Sequence, residues 1–450
     1  MESISLDKIA ARLGTTTPVH ADITALSTDT RDLPEGCLFL ALRGAKFDGH
    51  AFISNAMEGG AVAAVTEQQM GDHPCIVVPD TGQALLDIAN EYRRMFDIPV
   101  VGVTGSVGKT TTKELTACVL SQRFNTLKTA ANLNNVIGCP KTLLGLTRGH
   151  GAAVIEMGMN HFGEISRMSR ATEPTIAVIT NIGFSHVENL GSQEGILQAK
   201  LEMLEGMADD APLVTSADDR LLAPLKEKLD RPVYTFSTEG NDADVWAEEI
   251  KESNGVTTFT ICRKDTAPLL AVLPTVGVHN VKNALAAFLV GTLTGMEPQE
   301  ILCGLAEFRT TGDRQNIQQK NGQTVIADCY NASPDSMRAA LNVLGNWQCE
   351  GKRIAVLGDM LELGDMSDTL HASVGRMVAD AGIDLLLCYG PAARRIASHV
   401  GTSTEFWCTE SREELIAKLL NVTEPGDTVL FKASHGMHLE EVIEAVYGDA

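Results

Sequence analysis

The fold is decided by the stretch VVGVTGSVGKTTT, Val100–Thr112, which has the pattern of a buried strand, a glycine-bearing loop and a helix that begins at Lys109. In a phosphate-binding loop, backbone N–H groups and the helix N-terminus face the anion, the lysine neutralises the outer phosphates and the next hydroxyl is a Mg²⁺ ligand. Here the loop reads G-x-x-G-K-T from Gly105, because Val103 stands where the common G-x-x-x-x-G-K-[ST] form has its first glycine. A plain glycine-rich turn with an exposed lysine is the alternative, but the strand–loop–helix context favours nucleotide binding. The residues predicted to face the phosphates are Gly105, Ser106, Val107, Gly108, Lys109, Thr110 and Thr111.

Outward from this stretch, apolar strands alternate with helical patterns. The predicted strands are Pro99–Val103, Ala152–Glu156 and Thr175–Thr180, and the predicted helices are Lys109–Gln122, Gly163–Arg170 and Glu194–Met207. Continuous apolar strands that alternate with helices predict a mostly parallel sheet that is covered on both faces. A β-rich stretch, 245–272, and a helix, His279–Leu293, complete this central region.

Two flanking regions differ from the central one in their pattern of predicted strands, helices and turns. Residues up to about Gly82 combine a first helix at Met1–Leu13 with short strands and glycine-rich turns. After Thr310 the alternation resumes, as in a second, smaller doubly wound domain, with strands at Gln323–Asp328, Arg353–Leu357, Asp384–Tyr389 and Thr428–Phe431. We therefore expect an α/β protein of three domains, 1–82, 83–309 and 310–450, which agrees with a domain size of about 150 residues.

The composition excludes several classes of protein. The 36 lysines and arginines against 58 aspartates and glutamates leave a formal net charge of −22, which makes the chain a poor nonspecific binder of nucleic acid or anionic membranes. No apolar run approaches the roughly 20 residues of a membrane span, and the first residues carry no apolar signal core. Ten cysteines without a CxxC pair are typical of reduced thiols. We expect a cytoplasmic protein that has no nucleic-acid partner and is not stably inserted in a membrane.

Polar side chains follow two further strands that should end at the same edge of the central sheet. One strand ends at Glu156, and the other runs into Asn181, with His186 shortly after. Because ligands of open α/β sheets gather at the carboxyl ends of the strands, Thr110, Glu156 and His186 are predicted to converge on Mg²⁺ beside the phosphates. Alone, Glu156 could be a capping or solvated carboxylate and His186 a loop histidine, but the phosphate loop beside them favours a metal site.

Lys200 has an unusual position in its predicted helix. The residues three and four positions away are apolar, namely Ile196, Leu197, Met203 and Leu204. One interpretation is a snorkelling side chain, whose stem covers the apolar face while its ammonium group reaches water. The other is a functional lysine with a lowered pKa. The pattern alone favours the snorkelling lysine slightly.

Four further segments could be plain turns or parts of a binding site. Thr129–Asn135 is rich in amide side chains, which are neutral hydrogen-bond donors. Gly312–Arg314 and Asp328–Pro334 supply an arginine, a carboxylate and turn residues. Lys432–Gly436 follows a strand and precedes a helix, which suits an anion or carboxylate grip. Periodicity does not decide what any of them binds.

Taken together, these segments resemble the Mur ligases, the ATP-dependent amide ligases of peptidoglycan precursor synthesis, over essentially the whole chain. The matching segments are STDTR (Ser27–Arg31), ALRG and FDGH (Ala41–His50), TGSVGKTTTKE (Thr104–Glu114), NLNN (Asn132–Asn135), VIEMGMNHFGEI (Val154–Ile165), AK (Ala199–Lys200), HNVKNALAA (His279–Ala287), GDRQ (Gly312–Gln315), DCYNASPDSMRAAL (Asp328–Leu341) and GDMLELG (Gly358–Gly364). Several of them point more narrowly to the ligases that add D-alanyl-D-alanine to UDP-N-acetylmuramoyl-tripeptide. The phosphate loop and the NALAA-type segment are shared with the folylpolyglutamate synthases.

The resemblance implies a small UDP-sugar-binding domain, a central ATPase domain and a C-terminal Rossmann-like domain. It assigns Lys109 to the ATP phosphates, Thr110 and Glu156 to Mg²⁺, and His186 to a second Mg²⁺. Lys200 matches a family lysine that is carbamylated by CO₂, and the anionic carbamate can bind or orient the second ion. Lys109, His186 and Lys200 are therefore the expected catalytic residues, with ATP and two Mg²⁺ ions as the expected cofactors.

The resemblance also implies contacts with the nucleoside and with both substrates. The residues expected at the adenine, the ribose or the phosphates are His279, Asn283, Arg314 and Asp328. Those expected at the UDP part of the first substrate are Ser27, Thr30, Arg31, Phe47, Asp48, Gly49 and His50, with Asn134 and Asn135 beside its peptide stem. The remaining expected substrate contacts are Tyr330, Asn331, Lys432, Ser434 and His435. Here the chain departs from the frequent K-G-S-R, because a titratable histidine replaces the arginine fork, and Ser333 replaces a common asparagine.

The implied reaction uses ATP to convert the carboxylate of the tripeptide into an acyl phosphate. The amine of D-alanyl-D-alanine then attacks the acyl carbon, which gives UDP-N-acetylmuramoyl-pentapeptide, ADP and phosphate. The enzyme is expected to be a monomer of the bacterial cytoplasm, and diaminopimelate and lysine both remain open as the third stem residue. The alternatives are another Mur-type ligase, a polyglutamate ligase, or a P-loop regulatory NTPase that hydrolyses ATP without an amine acceptor.

Overall fold

The N-terminal domain is built around a small parallel sheet. The structure is a computed structural model that describes residues 1–44, 47–253, 255–310, 312 and 314–448. The strands of this domain are β1 (Ile4–Ser5), β2 (Asp22–Ile23), β3 (Leu26–Ser27), β4 (Leu38–Leu40), β5 (Arg43–Gly44), β6 (Phe47–Asp48), β7 (Ala63–Thr66) and β8 (Cys75–Val77). Its helices are α1 (Leu6–Arg12), α2 (Ile53–Glu58), α3 (Thr81–Arg93) and a 3-10 turn, Gly49–Phe52. In the described part of the domain, the parallel sheet has the order β3-β4-β7-β8, and β1–β2 and β5–β6 are antiparallel pairs.

The central domain contains the largest sheet of the described residues. Its strands are β9 (Val100–Thr104), β10 (Thr126–Lys128), β11 (Ala152–Glu156), β12 (Ile176–Ile179), β13 (Leu213–Ser216), β14 (Val233–Ser237), β15 (Val245–Ser253), β16 (Val256–Arg263) and β17 (Leu269–Leu273). Its helices are α4 (Lys109–Leu120), α5 (Gly138–Leu143), α6 (Glu164–Thr172), α7 (Val187–Leu190), α8 (Gln193–Leu201), the 3-10 helix Glu202–Gly206, α9 (Leu225–Lys228), α10 (Val278–Leu293) and α11 (Pro298–Ala306). The strand order is β10-β11-β9-β12-β13-β14-β15-β16-β17. The pairs are parallel from β10 to β15 and antiparallel from β15 to β17.

The register of this sheet brings three strand ends together. Strand β9 is buried along its whole length and lies between β11 and β12. Glu156 at the end of β11 pairs with Val103, and Ile179 at the end of β12 pairs with Thr104. The loops after the three strands therefore leave the same edge of the sheet, which is where open α/β folds bind their ligands.

The C-terminal domain is a second, smaller α/β unit. Its strands are β18 (Asn316–Lys320), β19 (Gln323–Ala327), β20 (Arg353–Gly358), β21 (Leu385–Tyr389), β22 (Glu405–Thr409) and β23 (Thr428–Lys432). Its helices are α12 (Pro334–Asn346), α13 (Ser367–Asp380), α14 (Arg394–Ala397), α15 (Arg412–Val422), α16 (Leu439–Tyr447) and the 3-10 turns Gly364–Met366 and His435–Met437. The order β18-β19-β23-β20-β21-β22 is parallel except for the β18–β19 pair. The expected three-domain α/β architecture is thereby confirmed, while the bounds of the domains stay a prediction.

Several predicted elements differ from the observed ones. The long helix predicted over 194–207 ends at Leu201 and continues as a 3-10 helix, and a side chain at Gly206 would collide with the backbone of Ser169. The first helix begins at Leu6, after the Ser5 cap, rather than at Met1. Strands β13, β14, β18 and β22 were not predicted, because polar residues interrupt the apolar run that marks a buried strand. Asp313 of the GDRQ segment, and Ala45 and Lys46 beside FDGH, lie outside the described residues.

The helices of the described residues give no sign of a membrane span. None of them combines the length and the apolar character that crossing a bilayer requires.

Candidate active site

The phosphate loop has the backbone shape that its glycines permit. Gly108 has φ 82°, and a Cβ there would lie 2.7 Å from Asn283 Oδ1 on α10. A Cβ at Gly105 would overlap the hydroxyl of Thr180. Lys109 opens α4 and donates from Nζ to the carbonyls of Gly105 (2.7 Å) and Ser106 (3.2 Å). The lysine is therefore folded over the loop, where phosphate oxygens would be its alternative acceptors.

A cavity of about 600 Å³ begins at this loop and is lined by both the central and the C-terminal domain. The predicted residues that line it are Ser106, Val107, Gly108, Lys109, Thr110, Thr111, Asn134, Asn135, Glu156, His186, His279, Asn283, Arg314, Asp328, Tyr330, Asn331 and Lys432. Among the described residues, Gly105, Lys200, Ser434, His435 and the predicted set of the N-terminal domain do not line it. The structure therefore brings most of the residues predicted for the central and C-terminal domains together around one cavity.

Glu156 is a deeply buried carboxylate of the cavity lining, and its side chain is 1% exposed. Its Oε1 accepts hydrogen bonds from Thr110 Oγ1 (3.1 Å) and Asn134 Nδ2 (2.8 Å). Its Oε2 is buried and accepts no hydrogen bond from any described residue. A hydroxyl and a carboxylate oxygen beside the phosphate loop are ligands that suit Mg²⁺, and Oε2, which has no hydrogen-bond donor, keeps its lone pairs available for a cation.

A buried ion-pair chain behind Glu156 was missed by the sequence analysis. Lys113 on α4 donates to the carbonyl of Thr129 (2.8 Å) and pairs with Glu114 (3.0 Å) and with Glu156 Oε2 (3.7 Å). Glu114 in turn pairs with the half-exposed Lys128. Burial opposes the charge of Glu114, but the hydrogen bonds and charges of the two lysines lower its pKa below its usual value. The available signal was a lysine one helical turn after Lys109.

His186 connects the central domain to the C-terminal one. Its Nδ1 lies 2.6 Å from Oε2 of Glu362, which the sequence analysis did not single out. Both residues have left-handed backbones, with φ of 63° at His186 and 62° at Glu362. Contact with the histidine lowers the pKa of Glu362. Glu362 belongs to the GDMLELG segment, so that quoted motif was the signal for this contact.

Lys200 is 2% exposed, so the interpretation as a snorkelling lysine is wrong. Burial, and secondarily the charge of Lys109, place its pKa well below the usual value. Burial likewise lowers the pKa of Lys109 to about 8, against the opposing effect of Glu156. Ile196, Ala199 and Lys200 are the buried residues of α8, so the helix turns this face toward the core. An amine in such a place is held in its neutral, nucleophilic form.

The predicted nucleoside contacts surround the loop from two domains. Asn283 accepts a hydrogen bond from Thr112 Oγ1 (3.1 Å), which ties α10 to α4. His279 Nε2 lies 3.0 Å from Gln315 Oε1, and burial lowers the pKa of this histidine. The guanidinium of Arg314 lies 3.9 Å from the centre of the Tyr330 ring.

In the Lys432–His435 segment, the side chains expected to bind an anion or carboxylate already have partners within the protein. Lys432 is buried and donates to Asp328 Oδ2 (2.7 Å), the Asp328 carbonyl (3.3 Å) and the Asn331 carbonyl (3.1 Å). Ser434 Oγ accepts from the N–H of Leu361 (2.9 Å). Lys432 and Ser434 therefore hold neighbouring loops in place, and the expectation that they grip a substrate carboxylate is not supported by their contacts. His435 stacks on Tyr330 with ring centres 5.7 Å apart.

The two asparagines of the amide-rich segment have different contacts. Asn134 holds Glu156, as described above. Asn135 Oδ1 accepts from the N–H groups of Ile137 (3.1 Å) and Gly138 (2.9 Å) at the start of α5. Its carbonyl oxygen is thus a cap, which leaves its amide group as the part that could meet a peptide stem.

The STDTR turn of the N-terminal domain is closed by its own side chains. Arg31 forms a bidentate pair with Asp29, which lowers the pKa of that exposed carboxyl. Ser27 Oγ donates to the Asp29 carbonyl (2.9 Å), and Thr30 is half-buried beside them. Lys141 of the central domain donates to Thr28 Oγ1 (2.8 Å). This contact fixes the turn against the central domain.

The FDGH segment presents an aromatic face. Phe47 is exposed and stacks on Phe52, with ring centres 5.4 Å apart. Asp48 accepts from the N–H of His50 (3.0 Å), while His50 itself is buried and accepts from the N–H of Glu67 at Nε2 (2.9 Å). A Cβ at Gly49 would lie 2.8 Å from the Leu42 carbonyl. His50 and Gly49 therefore shape the segment, and Phe47 and Asp48 are the side chains that it presents to solvent.

Comparison with known proteins gives a consistent result across the chain. Three family models match: the Mur ligase family, catalytic domain, over 22–93; the Mur ligase middle domain over 103–291; and the Mur ligase, glutamate ligase domain, over 314–435. UDP-N-acetylmuramoyl-tripeptide–D-alanyl-D-alanine ligase of Bacillus subtilis is 39% identical over 94% of this chain and 93% of its own length. The Escherichia coli protein of the same name is 38% identical over 95% and 94%.

Solved structures agree with these relatives. A crystal structure of MurF from Acinetobacter baumannii covers 99% of both chains with a TM-score of 0.92 and 31% identity. MurF from Thermotoga maritima, solved in complex with ADP, covers 94% of this chain and 96% of its own, with a TM-score of 0.85 and 29% identity.

Proposed function

We propose a reaction from one established premise: this chain belongs to the Mur ligase family, and it is an ATP-dependent amide ligase of peptidoglycan precursor synthesis. The proposed reaction joins D-alanyl-D-alanine to UDP-N-acetylmuramoyl-tripeptide and yields the pentapeptide nucleotide, ADP and phosphate. The substrates are those in the names of the relatives. We place the reaction in the bacterial cytoplasm and assign it to a monomer.

The observation that carries the proposal is the convergence at the phosphate loop. Lys109, Thr110 and Glu156 meet in a cavity that Arg314 and Asp328 of the C-terminal domain also line. A carboxylate is a poor electrophile, so its oxygen attacks the γ-phosphorus of ATP, and an acyl phosphate and ADP are formed. Lys109 stabilises the charge that develops on the transferred phosphoryl group. The two-domain lining excludes the water that would hydrolyse the intermediate.

We assign Thr110 and Glu156 to a Mg²⁺ ion and His186 to a second one. Glu156 Oε2, which is buried and accepts no hydrogen bond, supports the first assignment. When bound, the ions would neutralise phosphate charge during transfer. The contact of Glu362 with Nδ1 leaves Nε2 of His186 as the nitrogen for a cation, and a carboxylate at the other nitrogen fixes the ring orientation.

We assign carbamylation to Lys200. Burial favours the neutral amine, whose lone pair adds to the carbon of CO₂; the amine loses a proton to solvent and an anionic carbamate remains. Lys109, whose charge acts on Lys200, is then a countercharge for the carbamate. This role explains why a buried lysine lies within range of the charge of Lys109.

The substrate contacts follow the placement of the side chains. Phe47 is proposed to stack on the uracil of UDP, and Thr30 and Arg31 to hold its phosphates beside the Thr28–Lys141 contact. The amide group of Asn135 is proposed to meet the peptide stem, and Tyr330 and His435 to flank the acceptor.

The proposal is tested by the substrate dependence of ATP turnover. A ligase consumes ATP rapidly only when the tripeptide nucleotide and D-alanyl-D-alanine are both present, and pentapeptide appears in equal amount. A regulatory NTPase would hydrolyse ATP at the same rate whether neither, one or both of these substrates are present. Equal rates in all four combinations would reject the ligase. Assays with diaminopimelate-containing and lysine-containing tripeptides identify the stem residue.

A further inference from the structure

Lys113 is a buried cation that the reaction as described does not use. Its side chain is 1% exposed, and it lies on α4 one turn after Lys109, on the side of the helix that faces β10 and β11. An ammonium group in such a place costs free energy unless its partners compensate its charge. The partners therefore indicate what the residue does.

Two of its contacts anchor the ammonium group. Nζ donates to the Thr129 carbonyl at 2.8 Å and lies 3.0 Å from Glu114 Oε1. Thr129 also accepts, at its hydroxyl, the backbone N–H of Glu156 at 3.0 Å. One residue thus positions both the cation and the backbone of the carboxylate in front of it.

The third contact concerns Glu156 itself. Nζ lies 3.7 Å from Oε2, close enough for charge attraction but beyond hydrogen-bond distance. Oε1 is already occupied by Thr110 and Asn134. Lys113 therefore supplies countercharge to a carboxylate that is almost fully buried, and it leaves the lone pairs of Oε2 without a donor.

From this geometry we infer that Lys113 is a positioning residue for the cation site: it holds the Glu156 carboxylate in place while Oε2 stays available as a ligand. The inference rests on the proposed assignment of Glu156 to Mg²⁺. Groups behind a metal ligand orient it, and their loss typically weakens metal binding about 10- to 100-fold. Lys113 itself does not line the cavity at the phosphate loop.

The test is Mn²⁺ binding, measured by electron paramagnetic resonance on the full chain with saturating ADP. Lys113→Met and Lys113→Gln are expected to weaken Mn²⁺ binding by about tenfold or more. The glutamine can still donate to the Thr129 carbonyl, so it gives a folded variant if the methionine does not. ADP affinity in the presence of a chelator should stay within about twofold of the parent, since Lys113 acts through Glu156. If Lys113 had a purely structural role, its substitution would weaken both Mn²⁺ binding and ADP binding.

Two controls separate the possible failures. Lys128→Met removes the exposed cation on the far side of Glu114 and should change Mn²⁺ affinity by less than about threefold, because surface ion pairs are weak. Glu156→Gln should abolish tight Mn²⁺ binding. If Glu156→Gln abolishes tight Mn²⁺ binding while both Lys113 variants bind Mn²⁺ like the parent or more tightly, the inference about Lys113 is overturned. If Glu156→Gln binds Mn²⁺ normally, the proposed metal site is wrong and the inference falls with it.

Discussion

His186 of the central domain and Glu362 of the C-terminal domain meet across the domain gap, with 2.6 Å between Nδ1 and Oε2. Both residues have positive φ, a conformation that non-glycine residues adopt only when the surroundings hold them there. The contact can therefore report whether the two domains are closed on each other.

The first prediction is that Glu362→Gln lowers kcat/KM about tenfold or more, since partners behind a metal-binding histidine typically contribute this much. The glutamine amide lacks the negative charge with which Glu362 attracts the His186 ring and, through it, the central domain. ADP affinity without metal should be unchanged, because Glu362 does not line the nucleotide cavity. Asp365→Asn, which removes an exposed carboxylate three residues after Glu362, is the matched control. Equal kcat/KM values for both variants and the parent would contradict the role of this contact.

The second prediction concerns Lys200. Lys200→Ala should be nearly inactive, and acetate or propionate should restore part of the activity by replacing the carbamate in the vacated space. The parent protein, incubated with isotopically labelled bicarbonate, should show a carbamate carbon resonance that Lys200→Ala lacks. A fully active parent in CO₂-free buffer, with no such resonance, would leave Lys200 without its proposed modification.

The third prediction uses the lowered pKa of Lys109. The lysine is protonated below about pH 8 and loses its charge as the pH rises through that value. The protonated form binds phosphate, so ADP affinity without metal should fall by about tenfold per pH unit above this point. Calorimetry should show proton uptake on binding in the same range. Lys109→Ala should bind ADP weakly at every pH and should not ligate, and a parallel decline in both proteins would assign the titration to another group.

The fourth prediction concerns Gly108. Alanine there must adopt a left-handed backbone, which costs about 1–2 kcal/mol, and its Cβ would also approach Asn283 Oδ1. Gly108→Ala should therefore be less stable in urea and bind ADP more weakly. Gly14→Ala is the matched control, since Gly14 has φ 68° and open space around its Cβ position. Gly14→Ala should be less stable in urea but should bind ADP as the parent does. Normal ADP binding by Gly108→Ala would mean that the loop tolerates the displacement.

The sequence was sufficient for the features that follow from local pattern. The buried strand before Gly105 and the helix from Lys109 predicted the phosphate loop. The rule that ligands gather at strand ends then placed Glu156 beside Thr110. These are properties of short segments and of parallel sheets in general, so they could be inferred without a structure.

The remaining features depend on packing between distant segments. The burial of Lys113 requires knowing that β10 and β11 cover α4, and the Lys200 pattern was ambiguous until α8 was placed against the core. Glu362 and His186 are far apart in sequence, so no periodicity connects them. Whether the Lys432 ammonium group is free to bind a substrate carboxylate depends on where Asp328 and Asn331 lie, because these residues accept its hydrogen bonds. Such contacts are set by tertiary structure, which local patterns do not encode.

The central claim is that ATP activates a carboxylate, and its most direct measurement follows an oxygen atom. The terminal carboxylate of the tripeptide nucleotide is labelled with heavy oxygen, and a single turnover is run with ATP and D-alanyl-D-alanine. Activation as an acyl phosphate requires one labelled oxygen to leave with the phosphoryl group, so mass spectrometry should find label in the phosphate, with ADP as the co-product. Unlabelled phosphate would mean that water received the phosphoryl group, which would contradict the ligase mechanism and favour a regulatory NTPase.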